Sequence, residues 1–190
     1  YSSDQGFFLG ENGWFDKRWI DDASSRVPLL MEWRGHIRPG TVSDALVQNI
    51  DFAPTLLDAA GVKPKTPMHG VSLLPLFKPQ PKPWHRDLYY HFYENPGLHG
   101  VARHYGVITE RYKLAYYYQN DEWELFDRET DPADQRNLYG KSGYDDITGD
   151  LKRRLQALRA QYQVPETDPE AAWYHGAVVR ALEQLMLWLF

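Results

Sequence analysis

Six prolines between Lys63 and Pro83, at positions 64, 67, 75, 79, 81 and 83, divide this 190-residue chain into two differently patterned parts. Each proline fixes φ and removes a backbone donor, so no regular helix or central strand runs through the stretch. It is predicted to cross the surface as irregular chain between two subdomains. Ahead of it, Val27-Pro28-Leu29-Leu30-Met31-Glu32-Trp33 is a short apolar run that reads as a buried strand. Asp51 to Ala60, with Pro54 in the first turn, reads as a helix with Asp51 as N-cap and Gly61 as the residue just past its end.

Beyond the prolines, aromatic-rich runs follow one another closely: Leu88 to Tyr93, His104 to Thr109, Tyr112 to Tyr118 and Trp123 to Asp127. Short strands this close, with turn residues such as Gln119-Asn120-Asp121 between them, predict an antiparallel meander. Leu151, Leu155, Leu158 and Tyr162 fall at helical spacing, so roughly 147–163 should be an amphipathic helix lying on that sheet. The apolar end, Leu185-Met186-Leu187-Trp188-Leu189-Phe190, reads as an amphipathic docking helix or as a non-native tail. Three segments result: 1–83, an α/β part; 84–165, a small α+β unit; and 166–190, the tail.

Charge bounds the function. There are 21 Lys and Arg against 26 Asp and Glu, a net of −5, so no basic excess exists to neutralise a nucleic-acid backbone. Seven Trp, 13 Tyr and 8 Phe make 15% of the chain, which suits a packed core or a carbohydrate-lined cleft. No cysteine is present, so disulfides, thiolate metal sites and cysteine nucleophiles are excluded within these residues. No run of apolar residues is long enough to span a bilayer. Tyr1-Ser2-Ser3-Asp4 has no initiator Met, basic n-region or apolar h-region, which neither shows nor refutes a signal peptide, and is expected to be a cut into a longer protein.

The chemistry concentrates in Ser3-Asp4-Gln5-Gly6-Phe7-Phe8-Leu9-Gly10-Glu11-Asn12-Gly13-Trp14-Phe15-Asp16-Lys17-Arg18. Asp4 and Gln5 set a carboxylate beside an amide oxygen, followed by a glycine that lets the backbone turn. Hard divalent cations take such oxygen ligands, and calcium accepts them in flexible geometry. The same three residues also suit a purely structural Asx-turn. Lys17 near a metal would help hold an anionic group; alone, Lys17-Arg18 reads as a solvated face. Asp21-Asp22 and Asp145-Asp146 read as helix starts or exposed turns.

Together these residues resemble the C-terminal half of a type I, formylglycine-dependent sulfatase of the alkaline-phosphatase-like superfamily. The resemblance continues in order through Arg26-Val27-Pro28-Leu29, Asn49 to Val62, His69 to Leu76, Tyr105 to Leu114, and Glu124-Leu125-Phe126-Asp127 with Asp131-Pro132 and Asn137-Leu138. It implies an α/β fold, the C-terminal part of an alkaline-phosphatase-like sulfatase, ending in a small antiparallel sheet with a packed helix. It also implies that Asp4 and Gln5 ligate calcium and that Lys17 contacts the oxygens of the sulfate ester. Asn12 departs from the family, where a histidine is common. The family's nucleophile arises in a Cys/Ser-x-Pro-x-Arg motif, which these 190 residues lack, so the chain alone is expected to be inactive.

His91 to Tyr105 concentrates three His, an Arg and a Glu among aromatics within fifteen residues. Ring faces with polar tips suit a sugar, and His99 and Arg103 are the expected contacts; alternatively the segment closes a hairpin against Trp84. It resembles the corresponding segment of bacterial sulfatases acting on glycosaminoglycan or mucin sugars, notably 6-sulfated N-acetylglucosamine. Expected partners are a sulfated carbohydrate and the missing N-terminal half. The resemblance favours an extracytoplasmic location. A lone piece would expose surface that the other half covers, and is expected to form homo-oligomers or aggregates. Two other readings stand beside this one: a phosphodiester or phosphonate hydrolase of the same superfamily, and a non-catalytic sugar-binding fragment.

Overall fold

The aromatic-rich part of the chain builds the sheet. A computed structural model describes residues 1–78, 84, 86–95 and 100–168. In it β3 (Leu88–Phe92), β4 (His104–Ile108), β5 (Tyr112–Tyr117) and β6 (Glu122–Asp127) pair antiparallel in the order β3-β4-β5-β6. Register places Val107 opposite Leu114 and Leu114 opposite Leu125, so these three share one face and are fully buried. A 17-residue helix, α3 (Asp145–Gln161), lays Leu151, Leu155 and Leu158 on that face. Asp145 and Asp146 in its first turn and Arg159 in its last complement the helix dipole. The predicted meander and helix are both present, each within two residues of the expected bounds.

The other sheet face is covered by the early chain rather than by a helix. Ile20 packs there against Leu88, Ile108 and Ala115. Gly106 makes this approach possible, since a Cβ on it would stand 2.4 Å from the Leu114 carbonyl oxygen and 2.5 Å from Ile20 Cδ1. Upstream, β1 (Phe8–Leu9) and β2 (Phe15–Asp16) form a two-stranded hairpin, followed by the one-turn helix α1 (Asp22–Ser25).

Helix α2 (Phe52–Ala59) ends as predicted. Gly61 takes φ +67°, its N–H donates to the Asp58 carbonyl, and the Val62 N–H donates to the Leu57 carbonyl, a Schellman closure. Its start differs from expectation. Asp51 lies in a 3-10 turn (Asn49–Asp51), and its side chain does not cap α2. The buried carboxylate instead accepts from the backbone N–H groups of Gln48 and Val71 and pairs with Arg86. A second correction concerns 27–33, which form no buried strand. Leu29 makes one bridge to Ser2, while Leu30 and Met31 are 64% and 40% exposed. Pro28 has no donor for a ladder, and residues 1 and 2 provide only one bridge's worth of neighbour. Among the described residues of the proline stretch the only regular piece is a 3-10 turn, Leu74–Phe77. The tail beyond residue 168 lies outside the described residues. Among those described, no helix is long and apolar enough to cross a membrane.

Candidate metal and anion site

Gly6 fixes where the first segment runs. Its N–H donates to the Ser24 carbonyl at 2.7 Å, and a Cβ on it would lie 2.1 Å from the Ala23 carbonyl oxygen. No other residue fits there, so Asp4 and Gln5 are held just ahead of a fixed point. The Ser3 hydroxyl closes the turn by donating to the Gln5 carbonyl at 2.8 Å. The Gln5 side chain lies near the Tyr90 hydroxyl on β3.

The hairpin brings Lys17 back to Asp4. Between β1 and β2 the chain turns through Gly10 (φ +125°), Asn12 (+56°) and Gly13 (+78°). The residues on either side of Lys17 are also left-handed: Asp16 has φ +81° and Arg18 +96°. Neither is glycine, so each costs on the order of 1–3 kcal/mol and must be held by its surroundings. The holders are visible. Arg18 pairs with Asp16 at 3.0 Å, the Arg18 N–H donates to Ser24 Oγ, and the Tyr90 hydroxyl donates to the Arg18 carbonyl. Asp16 and Arg18 thus turn to each other, and Lys17 is left pointing to Asp4, its Nζ 2.7 Å from Oδ2. That hydrogen bond, with the Gln5 backbone N–H next, holds the Asp4 carboxyl below its ordinary range.

Asp4 is 77% exposed and Lys17 26% exposed, so the pair stands at an open surface. Asp4 and Gln5 offer oxygen donors only, and these fit a hard divalent cation. Among the described residues no group of three His, Asp or Glu converges to hold a metal. Asp4 and Gln5 by themselves therefore do not complete a metal site among the described residues. Asn12, where a histidine was expected, has a plain role: its Nδ2 donates to the Ala133 carbonyl at 3.0 Å, tying the hairpin to the turn after β6.

Of the predicted sugar contacts, His99 lies outside the described residues. The Arg103 guanidinium donates to the Asn95 carbonyl and pairs with Asp168, whose carboxylate also accepts from the Tyr118 hydroxyl. No hydrogen bond or ion pair joins Arg103 to Asp4, Gln5 or Lys17 among the described residues. Sequence reasoning missed a buried ionic cluster under the hairpin. Lys113 on β5 is fully buried, with its Nζ 2.7 Å from Asp22 and 2.6 Å from Asp134. Burial works to raise the Asp22 carboxyl, but Lys113 and then Arg128 carry it below its ordinary value. Asp21 beside it has no such bond, and burial pushes it up to about 6.

The hairpin joined to a four-stranded meander with one packed helix is the C-terminal unit of an alkaline-phosphatase-like sulfatase fold. Residues 10–161 match the family described as N-sulphoglucosamine sulphohydrolase, C-terminal, and the chain belongs to that family. A Bacteroides thetaiotaomicron protein named N-acetylglucosamine-6-O-sulfatase is 42% identical over 174 residues, covering 90% of this chain and 31% of that protein. Human arylsulfatase K is 32% identical over 164 residues, 83% of this chain and 30% of that one. A solved structure, described as a complex with its substrate D-glucosamine-2-N,6-O-disulfate, superposes with a TM-score of 0.84 at 41% identity. It is matched over 90% of this chain and 35% of its own. The chain thus spans about a third of the length of these relatives.

Proposed function

We propose that this chain is the C-terminal part of a sulfuric ester hydrolase that removes sulfate from a sulfated hexosamine. The observation that carries the reading is the Asp4–Lys17 pair, 2.7 Å apart and held by left-handed residues on both sides of the lysine. Strain kept at one surface position is a mark of a site whose geometry matters more than local stability. Lys17 would donate to an anionic ester oxygen and neutralise charge that grows as the bond to the leaving group breaks. Asp4 and Gln5 would hold a calcium ion, which supplies Lewis-acid polarisation of the same group. Arg103, with His99, would contact the sugar. Arg103 is anchored by Asp168 and Asn95, which would fix the direction of its remaining donors. The nucleophile must come from outside these residues, because the Cys/Ser-x-Pro-x-Arg motif is absent from them.

A phosphonate monoester hydrolase of Agrobacterium radiobacter shares the fold with a TM-score of 0.71 at 24% identity, so shape alone does not choose the ester. Gln5, an oxygen ligand where a transition-metal site would favour nitrogen, supports calcium and sulfate. The test is a comparison of the intact protein with its Lys17→Ala and Asp4→Ala variants on 6-sulfated N-acetylglucosamine and on a phosphonate monoester. Sulfate release should fall on the order of 10²–10³-fold in Lys17→Ala. Chelation of calcium should lower the thermal midpoint of the parent but not of Asp4→Ala. Faster turnover of the phosphonate would move the reading to the other ester. Sugar binding without turnover or metal dependence would move it to a non-catalytic module.

A further inference from the structure

On the sheet face opposite α3, residues between Asn12 and Trp19, with Asp21, line one side of an open cleft of about 410 Å³ over β5 and β6. Its walls carry the rings of Trp14, Trp19 and Tyr117 and the carboxylates of Asp21, Glu124 and Asp134. Asp4, Gln5 and Lys17 do not line it. The volume falls in the range of roughly 300–1,000 Å³ usual for small-molecule sites.

Its charges do not balance. Lys113 is bonded to Asp22 and Asp134, Arg128 stands 3.4 Å and Arg26 4.0 Å from Asp22, so three cations meet four carboxylates once Asp21 and Glu124 are included. The Asp134 side chain is only 2% exposed. Lys113 bonds its Oδ2, while Oδ1 has no hydrogen-bond partner among the described residues. Asp21 stands at the start of α1, yet its side chain makes no capping bond. Burial, then the charge of Asp21, pushes the Glu124 carboxyl up to about 7. Buried acceptors without donors are costly, and a chain retains them where something else supplies the proton or the positive charge.

The geometry narrows what that is. The described residues hold no cluster tight enough for a metal ion. The Trp14 and Trp19 rings lie 4.8 Å apart at 49°, presenting aromatic surface to the same space as the acids. Aromatic faces beside carboxylates suit an organic cation, which needs acceptors at its nitrogen and apolar contact along its carbons. We propose that this cavity binds a small organic ammonium of about hexosamine size. Its nitrogen would sit between Asp21 and Glu124, and its carbon skeleton against Trp14 and Trp19. The assignment stands whichever ester the protein hydrolyses, since it shares no residue with the Asp4–Lys17 site.

Calorimetric titration of the intact protein with glucosamine, with N-acetylglucosamine as the uncharged counterpart, tests it at pH 7. Glucosamine should bind at least about tenfold tighter than its N-acetyl form, the worth of one well-placed charge contact. Asp21→Asn and Glu124→Gln should each weaken glucosamine by about tenfold. Both keep the partners of Lys113, so their thermal midpoints should not fall. Absence of glucosamine binding, or binding that survives both substitutions, overturns the proposal. So does a response to N-acetylglucosamine as strong as that to glucosamine and equally lost in the variants, because the site would then read the ring and not the ammonium.

Discussion

At the scale of single residues, the protein keeps some groups charged and others neutral, and the two sets pull stability in opposite directions with pH. Asp21 and Glu124 are raised by burial, to about 6 and about 7. The folded chain holds protons there that the unfolded chain has lost, so stability falls as pH rises through those values. His104 does the reverse. It is buried between Tyr90 and Tyr117, and burial lowers it to about 4. Only the unfolded chain takes up that proton just below pH 6.5, so stability falls on acidification from there towards pH 4. Glu124→Gln removes part of the alkaline loss alone. Its thermal midpoint should exceed that of the parent by more at pH 8 than at pH 5, and equal gains at both would refute the assignment. Lys113→Met should cost about 3–5 kcal/mol in chemical denaturation, since Asp134 would stay buried without its cation and Asp22 would lose its nearest one. Asp4 and Lys17, which pair in the structure, stand out together in the sequence because they lie within one short motif. The Lys113 cluster does not, because its partners stand 91 and 21 residues away and each alone resembles a surface charge.

Elements were legible in proportion to how locally their pattern is decided. The four strands announce themselves by aromatic runs separated by turns, and α3 by leucines at helical spacing; both signals reflect burial on one face. The run from Val27 to Trp33 carries a similar apolar signal without the outcome, because a strand also needs a neighbour and Pro28 withholds a donor. Asp51 shows the same limit for caps. An acid before a helix looks like an N-cap, but here tertiary donors, the Val71 N–H and Arg86, claim the carboxylate. How the early chain meets the sheet was also invisible, because it depends on Gly106 having no side chain. Gly106→Ala should therefore cost about 1–3 kcal/mol, as Ile20 and β5 would both have to shift. The same substitution at Gly149, whose added Cβ would come no nearer than 3.8 Å to the Arg153 side chain, lies inside α3 and should be neutral or stabilising. Thermal melting of the two variants separates close approach from a general penalty for replacing glycine.

For the whole molecule, the decisive fact is that the chain spans about a third of its relatives while carrying a distinctly apolar surface at the hairpin. Leu9 and Phe15 are cross-strand partners, 74% and 67% exposed. Phe7 packs edge-on against Phe15 with ring centres 5.2 Å apart, and Trp14 beside them is 48% exposed. Single exposed apolar residues are ordinary, but four contiguous ones next to a charged site form a surface that water solvates poorly. In a longer protein such a face would be buried against further chain, which would also shield the Asp4–Lys17 pair and strengthen its electrostatics. The 190 residues produced alone should therefore self-associate through this hairpin. Sedimentation velocity should show species larger than the 22.2 kDa monomer, growing with concentration. Replacing Leu9 and Phe15 together by lysine should return the chain to monomer without changing its circular dichroism, since neither side chain belongs to the buried core. Association that persists in the double variant would place the sticky surface elsewhere. In the intact protein the same pair of substitutions should instead lower stability and sulfate release together, because there the hairpin face would be an interior.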